Sequence, residues 1–233
     1  KPIAHRGLHD GNRLVWENTL SAFRLAVEGG HPIECDVHLT GDRQVVVFHD
    51  RSLKRLCGRD GFVHDTNLED LVGMSIGGTA DHPVPLANML NFVDGRVPVV
   101  IEFKGDPGHD DGLIDAAAAI LKSYHGQVAV MSFDHHLIRQ FKRRMPDVAA
   151  GLTAEGLRDQ DIEGHFAMLA HDIDFVSYNV HHLPNAFTTF VREKLGLPVI
   201  TWTVRTPDDY AKTRAHADQP TFETIDPDLV RTA

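Results

Sequence analysis

Short apolar runs rich in β-branched residues alternate with helix-patterned segments along most of the chain. Runs at Ile3–His5, Ile33–Val37, Val45–His49, Val97–Lys104, Val128–Phe133, Ala149–Thr153, Phe175–Tyr178 and Val199–Val204 have the length and residue types of strands. A weaker ninth run lies at Phe222–Asp226. Between them the pattern predicts helices over Asn18–Val27, Gly112–Tyr124, Asp134–Arg144, Pro184–Leu195 and Pro207–Ala217. The end signals agree. Gly29-Gly30 stops the first helix, Asp134 stands at an N-cap position, and Pro207 falls in a first turn.

Repeated β–α alternation implies an α/β protein with a parallel sheet, and eight such strands fit a (β/α)8 TIM barrel better than an open doubly wound sheet. No G-x-G-x-x-G follows the first strand, which weakens a dinucleotide-binding reading. Only thirteen positions separate Asp36 from His49, too few for a helical crossover, and Leu39–Arg43 reads as a turn. Nine runs for eight places leave one peripheral. The segment 51–85 breaks the rhythm. It is polar and glycine-rich, with a short helix near Leu68–Val72, and reads as an inserted loop region after the third strand. A long loop on the active-site face of a barrel is often functional. The whole chain, 1–233, is expected to be a single barrel domain.

Composition narrows the function classes. A formal charge of −10 over 233 residues argues against a nucleic-acid or anionic-membrane binder, though not against an anionic small-molecule substrate. No apolar run is long enough for stable insertion across a bilayer. Two cysteines, Cys35 and Cys57, suit a reducing compartment, so a cytoplasmic location is expected. The chain begins at Lys1 and not Met, so a trimmed secreted or periplasmic form stays open; the oligomeric state is not specified. Of the 16 histidines, His135-His136 and His181-His182 read as solvent-facing.

The chemistry lies in charged residues placed within or at the ends of apolar strands, where burial is costly unless the charge is paired or bound to metal. Glu34 and Asp36 alternate along one strand and face the same way. Glu102 and Lys104 end another, His49 ends a third, and His5-Arg6 opens the chain. Three carboxylates without a thiolate make a hard oxygen site for Mg²⁺ or Ca²⁺. Arg6 and Lys104 supply fixed positive charge for a phosphate, and two histidines can divide general acid and base roles. Together these describe phosphoryl transfer. No G-x-S-x-G elbow points to acyl transfer.

At these residues the sequence resembles the glycerophosphodiester phosphodiesterase family. The resemblance rests on His5-Arg6-Gly7, Glu17–Leu20, Glu34–Thr40, Val46–Asp50 and Glu102–Lys104, with looser matches at Ser132-Phe133, Trp202 and Thr224–Pro227. It implies a barrel that hydrolyses glycerophosphodiesters to glycerol 3-phosphate and an alcohol. It implies one divalent cation, Mg²⁺ or Ca²⁺, on Glu34, Asp36 and Glu102, with His5 and His49 as the acid/base pair. Substrate contacts fall to Arg6, Lys104, Trp202 and Glu17, the last orienting Arg6 or serving only as a first-turn acid. Cys35 stands where an aliphatic residue is commoner, and 218–226 lacks the usual glycine-rich approach. A lysophospholipase D-like phosphodiesterase and a non-catalytic phospholigand-binding barrel are the alternatives. A metal amidohydrolase would need an H-x-H pattern near the first strand, and none is there.

Overall fold

A computed structural model describes residues 1–226. Eight parallel strands close into a barrel: β1 (Ile3–Ala4), β2 (Ile33–Leu39), β5 (Val99–Phe103), β6 (Val128–Ser132), β7 (Ala149–Ala154), β8 (Phe175–Asn179), β9 (Val199–Val204) and β10 (Gln219–Phe222). Closure runs through β1, which pairs with β10 on one side and β2 on the other. The helices are α1 (Leu20–Glu28), α4 (Leu86–Val93), α5 (Leu113–Leu121), α6 (His135–Arg144), α7 (Asp159–Ala167), α8 (Ala186–Phe190) and α9 (Pro207–His216), with short α2 (Lys54–Cys57) and α3 (Leu68–Val72) in the excursion 51–85. Among the described residues no helix is long and apolar enough to cross a membrane.

The peripheral run is Val45–His49. It forms β3 (Val45–Val47), which turns back antiparallel on β2 and is followed by the two-residue β4 (Val84–Pro85). The ninth run supplies the last barrel strand instead, moved toward the N-terminus to Gln219–Phe222. Pro220 sits within β10 beside a register shift, and a proline with polar neighbours hides a strand from a pattern search. Part of the Thr224–Pro227 match, Pro227, lies outside the described residues.

Strand alternation sorts side chains into an outer and an inner set. On β2, Ile33, Cys35 and Val37 join the large cluster beneath the helices, so Glu34 and Asp36 point into the barrel. On β5, Val99, Ile101 and Phe103 join the same cluster, and Val100 and Glu102 turn inward. Register puts Glu34 beside Val100 and Asp36 beside Glu102. Val100, with Ile3, Met131, Phe175 and Ile200, makes an apolar floor inside the barrel. Glu34 is level with this floor, and Asp36 and Glu102 lie two residues further along their strands on the same inward face. β3 alternates too: Val45 and Val47 face the main core, while Val46 and Phe48 pack with Leu53, Leu56, Val63, Leu71 and Ile76 of the excursion. The excursion therefore has its own small apolar cluster and is not a bare loop.

Helix ends follow the expected chemistry. Thr19 caps α1, Asp134 accepts from His136 and Leu137 N–H at α6, and Thr206 with Asp209 forms a capping box at α9. The Pro184–Leu195 helix splits into α8 and a wider π turn over Val191–Leu195. Besides the one-turn α2, two helices escape the pattern reading. α4 buries Leu86, Met89, Leu90 and Val93, a clear stripe masked by the two prolines before it. α7 buries only His165 among its nine residues, so its pattern carries little signal.

Candidate active site

β1 ends in a tight turn that aims two functional residues at one point. Arg6 adopts a left-handed backbone (φ 55°), and its N–H donates to Glu34 Oε2 at 2.9 Å. Gly7 follows at φ 80°, where a Cβ would sit 2.8 Å from the Ala22 side chain, so only glycine lets α1 approach so closely. Asn18, also left-handed at φ 56°, donates from its backbone N–H to the Arg6 carbonyl. Its Nδ2 donates to Asp36 Oδ2 at 2.9 Å.

Glu34, Asp36 and Glu102 bring one oxygen each within 4.8 Å of one another, all buried. Glu34 Oε1 is buried without a hydrogen-bond partner among the described residues. Burial, with Asp36 and Glu102 alongside, pushes the Glu34 carboxyl well above its usual range, and burial raises Glu102 in the same way. Asp36 goes the other way. Burial opposes its charge, but Lys104 and Arg6 outweigh that and hold it well below the usual range. Lys104 Nζ lies 2.8 Å from Asp36 Oδ1 and also bonds Glu102 Oε1. Three buried carboxylates, one with a free oxygen, beside an ammonium drawn between two of them, fit a hard divalent cation.

Each histidine is held from behind. His5 Nδ1 lies 2.9 Å from Glu223 Oε2, and Glu223 also bonds Arg205 Nε. His49 Nδ1 lies 2.7 Å from Asp50 Oδ1, and Arg55 grips Asp50. A carboxylate on Nδ1 fixes the tautomer and leaves Nε2 to face the site. His5 Nε2 lies 3.9 Å from Glu34 Oε2. His38 Nε2 donates to the His49 carbonyl at 3.0 Å, which anchors that backbone. Burial lowers both imidazole pKa values, more than the nearby carboxylates raise them.

His5, Arg6, Asp36, His49, Glu102 and Lys104 line one cavity of about 170 Å³. Trp202 and Phe133 form one wall, in edge contact with ring centres 5.4 Å apart, and Trp202 Nε1 donates to the Ser177 carbonyl. Glu34 lies beneath, bonded to the Arg6 backbone. Glu17 stands behind the cavity and touches one of its lining residues, Arg6, whose Nη1 donates to its Oε1 at 2.7 Å. His181, read from sequence as solvent-facing, also lines the cavity, along with Asn179 and Arg205. Glu223 and Asn18 were not singled out in the sequence. Asn18 stood inside a quoted motif; Glu223 had no signal, because its partner His5 is 218 positions away.

Comparison with known proteins agrees. A family model described as the glycerophosphoryl diester phosphodiesterase family matches residues 5–219. A glycerophosphodiester phosphodiesterase of Caldanaerobacter subterraneus is 31% identical over 222 residues, covering 89% of this chain and 86% of that protein. A lysophospholipase D of Homo sapiens is 38% identical over 103 residues, 44% of this chain and 31% of that protein. Among solved structures, an Oleispira antarctica phosphodiesterase in complex with the product sn-glycerol-3-phosphate superposes with a TM-score of 0.85 at 22% identity, covering 99% of this chain and 94% of that one. That likeness establishes the fold, and the family match and the C. subterraneus relative carry the rest: the chain belongs to the glycerophosphoryl diester phosphodiesterase family of phosphoric diester hydrolases.

Proposed function

We propose that this protein hydrolyses glycerophosphodiesters to glycerol 3-phosphate and an alcohol, using His5 and His49 as an acid/base pair beside a divalent cation. The observation that carries this reading is the pair of carboxylate-held histidines in one cavity with Asp36, Glu102, Arg6 and Lys104, above the buried Glu34. A site for binding alone would need no such pair of proton carriers. Glu34, Asp36 and Glu102 would hold Mg²⁺ or Ca²⁺, and the unpartnered Glu34 oxygen supports that fit. When bound, the ion polarises the phosphate and offsets its negative charge.

The chain's own groups do the rest. Arg6 and Lys104 offset charge on the nonbridging oxygens. One histidine takes the proton of the substrate's glycerol 2-hydroxyl as that oxygen bonds to phosphorus. The bond to the leaving alcohol breaks, and the other histidine, in its protonated form, gives that oxygen its proton. A cyclic phosphate results. Water then adds to phosphorus, the ring opens, and the histidines exchange roles. Trp202 and Phe133 give the carbon skeleton an apolar wall.

The test is glycerol 3-phosphate release from glycerophosphocholine, with protein stripped by EDTA and then given Mg²⁺ or Ca²⁺. Turnover restored by one ion supports the reading and names the ion. Phosphate binding without turnover would replace it with a ligand-binding role. A second reading, a lysophospholipase D-like activity, is favoured by the half-exposed Phe133 beside Trp202, an apolar lip able to receive an acyl chain. Lysophosphatidylcholine in the same assay, read as choline release, separates the two.

A further inference from the structure

The sequence singled out the excursion 51–85 without giving it a task, and one of its side chains touches both arms of the site. Arg55, on α2, lies five positions after Asp50 and 38 after Glu17. Its Nε donates to Asp50 Oδ2 at 2.6 Å and its Nη2 to Asp50 Oδ1 at 2.7 Å. Its Nη1 donates to Glu17 Oε2 and its Nη2 to Glu17 Oε1, each at 2.8 Å. One guanidinium thus closes two bidentate contacts, a geometry that lysine cannot copy. Asp50 holds His49 Nδ1, while Glu17 holds the Arg6 guanidinium. The two acids would repel each other without the cation between them. Asn12 also grips Glu17, by its Nδ2 at 2.6 Å. Among the described residues, removing Arg55 therefore leaves Glu17 two partners but leaves Asp50 with His49 alone.

We infer that Arg55 is a positioning residue that locks the carboxylate behind His49 to the carboxylate behind Arg6, so that the excursion sets the alignment of proton transfer against phosphate binding. This rests on the phosphodiester hydrolysis proposed above. The asymmetry of partners makes the effect directional: loss of Arg55 loosens His49 more than Arg6.

The test is Arg55→Ala and Arg55→Lys in the full chain with glycerophosphocholine and the activating ion. Arg55→Ala should lower kcat by about 10- to 100-fold, as loss of a partner behind a functional residue commonly does, with KM changing by less. Arg55→Lys should fall between. The Arg55 side chain is 43% exposed, so a small cation can enter from solvent. Millimolar guanidinium should then restore kcat in Arg55→Ala but not in Asp50→Asn. A purely structural role would lower the melting temperature without that rescue. Ring-nitrogen NMR of histidine-labelled protein, with the His49 signal assigned through His49→Ala, needs no turnover. The wild type should show His49 protonated at Nδ1 in one tautomer, and Arg55→Ala a mixture. Unchanged kcat and an unchanged His49 signal in Arg55→Ala would overturn the inference while leaving hydrolysis standing. A changed His49 signal in Arg55→Ala, with no turnover of any diester by the wild type, would support the positioning and sink the functional reading instead.

Discussion

At the residue scale, the two histidines carry the same ring in unlike settings. His5 leans on Glu223, deep at the closure of the barrel, and His49 leans on Asp50 nearer solvent. Replacing His49 with Ala should cut turnover by about 10²–10⁴-fold, the usual worth of a general acid or base, with circular dichroism and ion binding unchanged. Near-normal turnover in His49→Ala would remove it from the chemistry. Glu17 gives a prediction about stability. Its burial raises the pKa, but Arg55, Arg6 and Asn12 overcome this and bring it down to about 2. A depressed carboxylate pKa stabilises the fold above the unfolded-state value and loses that contribution as pH falls through the folded-state value. Wild type should thus lose about 3 kcal/mol between about pH 5 and about pH 2 that Glu17→Gln does not lose. Urea midpoints of the two proteins across that window check it, and parallel curves would contradict it. What the sequence revealed at this scale followed distance along the chain. Glu34, Asp36 and Glu102 stood out because a charge inside a strand is conspicuous where it stands. Glu223 and Arg55 are polar residues in polar surroundings, and only folding supplies the partners that give them meaning.

At the element scale, the alternating pattern located the barrel strands well wherever both strand faces were buried, since parallel strands read as continuous apolar runs. It misjudged β3 and β10 for opposite reasons. β3 is as apolar as a barrel strand because it covers two clusters, the main core on one face and the excursion on the other. β10 is polar and contains a proline, yet it closes the barrel. Burial of a run says that something covers it, not which sheet it joins. The turn after β1 also belongs to this scale. Gly7→Ala would put a methyl 2.8 Å from Ala22 Cβ and 3.0 Å from Ala22 backbone, at a φ that alanine resists. That overpacking should cost about 1–3 kcal/mol and push α1 outward, dragging Arg6 and Asn18 off the acids. A drop in melting temperature together with weaker ion binding would bear this out; a drop in neither would show that the turn has slack.

At the scale of the whole molecule, the proposed ion site at the acid cluster would tie stability to the ion. A cation that binds the folded chain alone stabilises it by mass action, about 2.7 kcal/mol at a concentration near 100 times its Kd. Thermal unfolding should therefore shift upward with added Mg²⁺ or Ca²⁺ in wild type and hardly at all in Asp36→Asn. An equal shift in both would place the ion elsewhere. The closure of the barrel bears on when the protein becomes competent. β1 is two residues long, and its seam places His5 against Glu223, so the first and last barrel strands must meet before the site exists. A ribosome makes these partners 218 positions apart. A growing chain can build the barrel wall through β9 and still lack the carboxylate that holds His5, because β10 and Glu223 follow it in the chain. Under the proposed function, catalysis is in this sense a receipt for a closed barrel: fragments that stop short of Glu223 would carry Glu34, Asp36 and Glu102 without the carboxylate that holds His5.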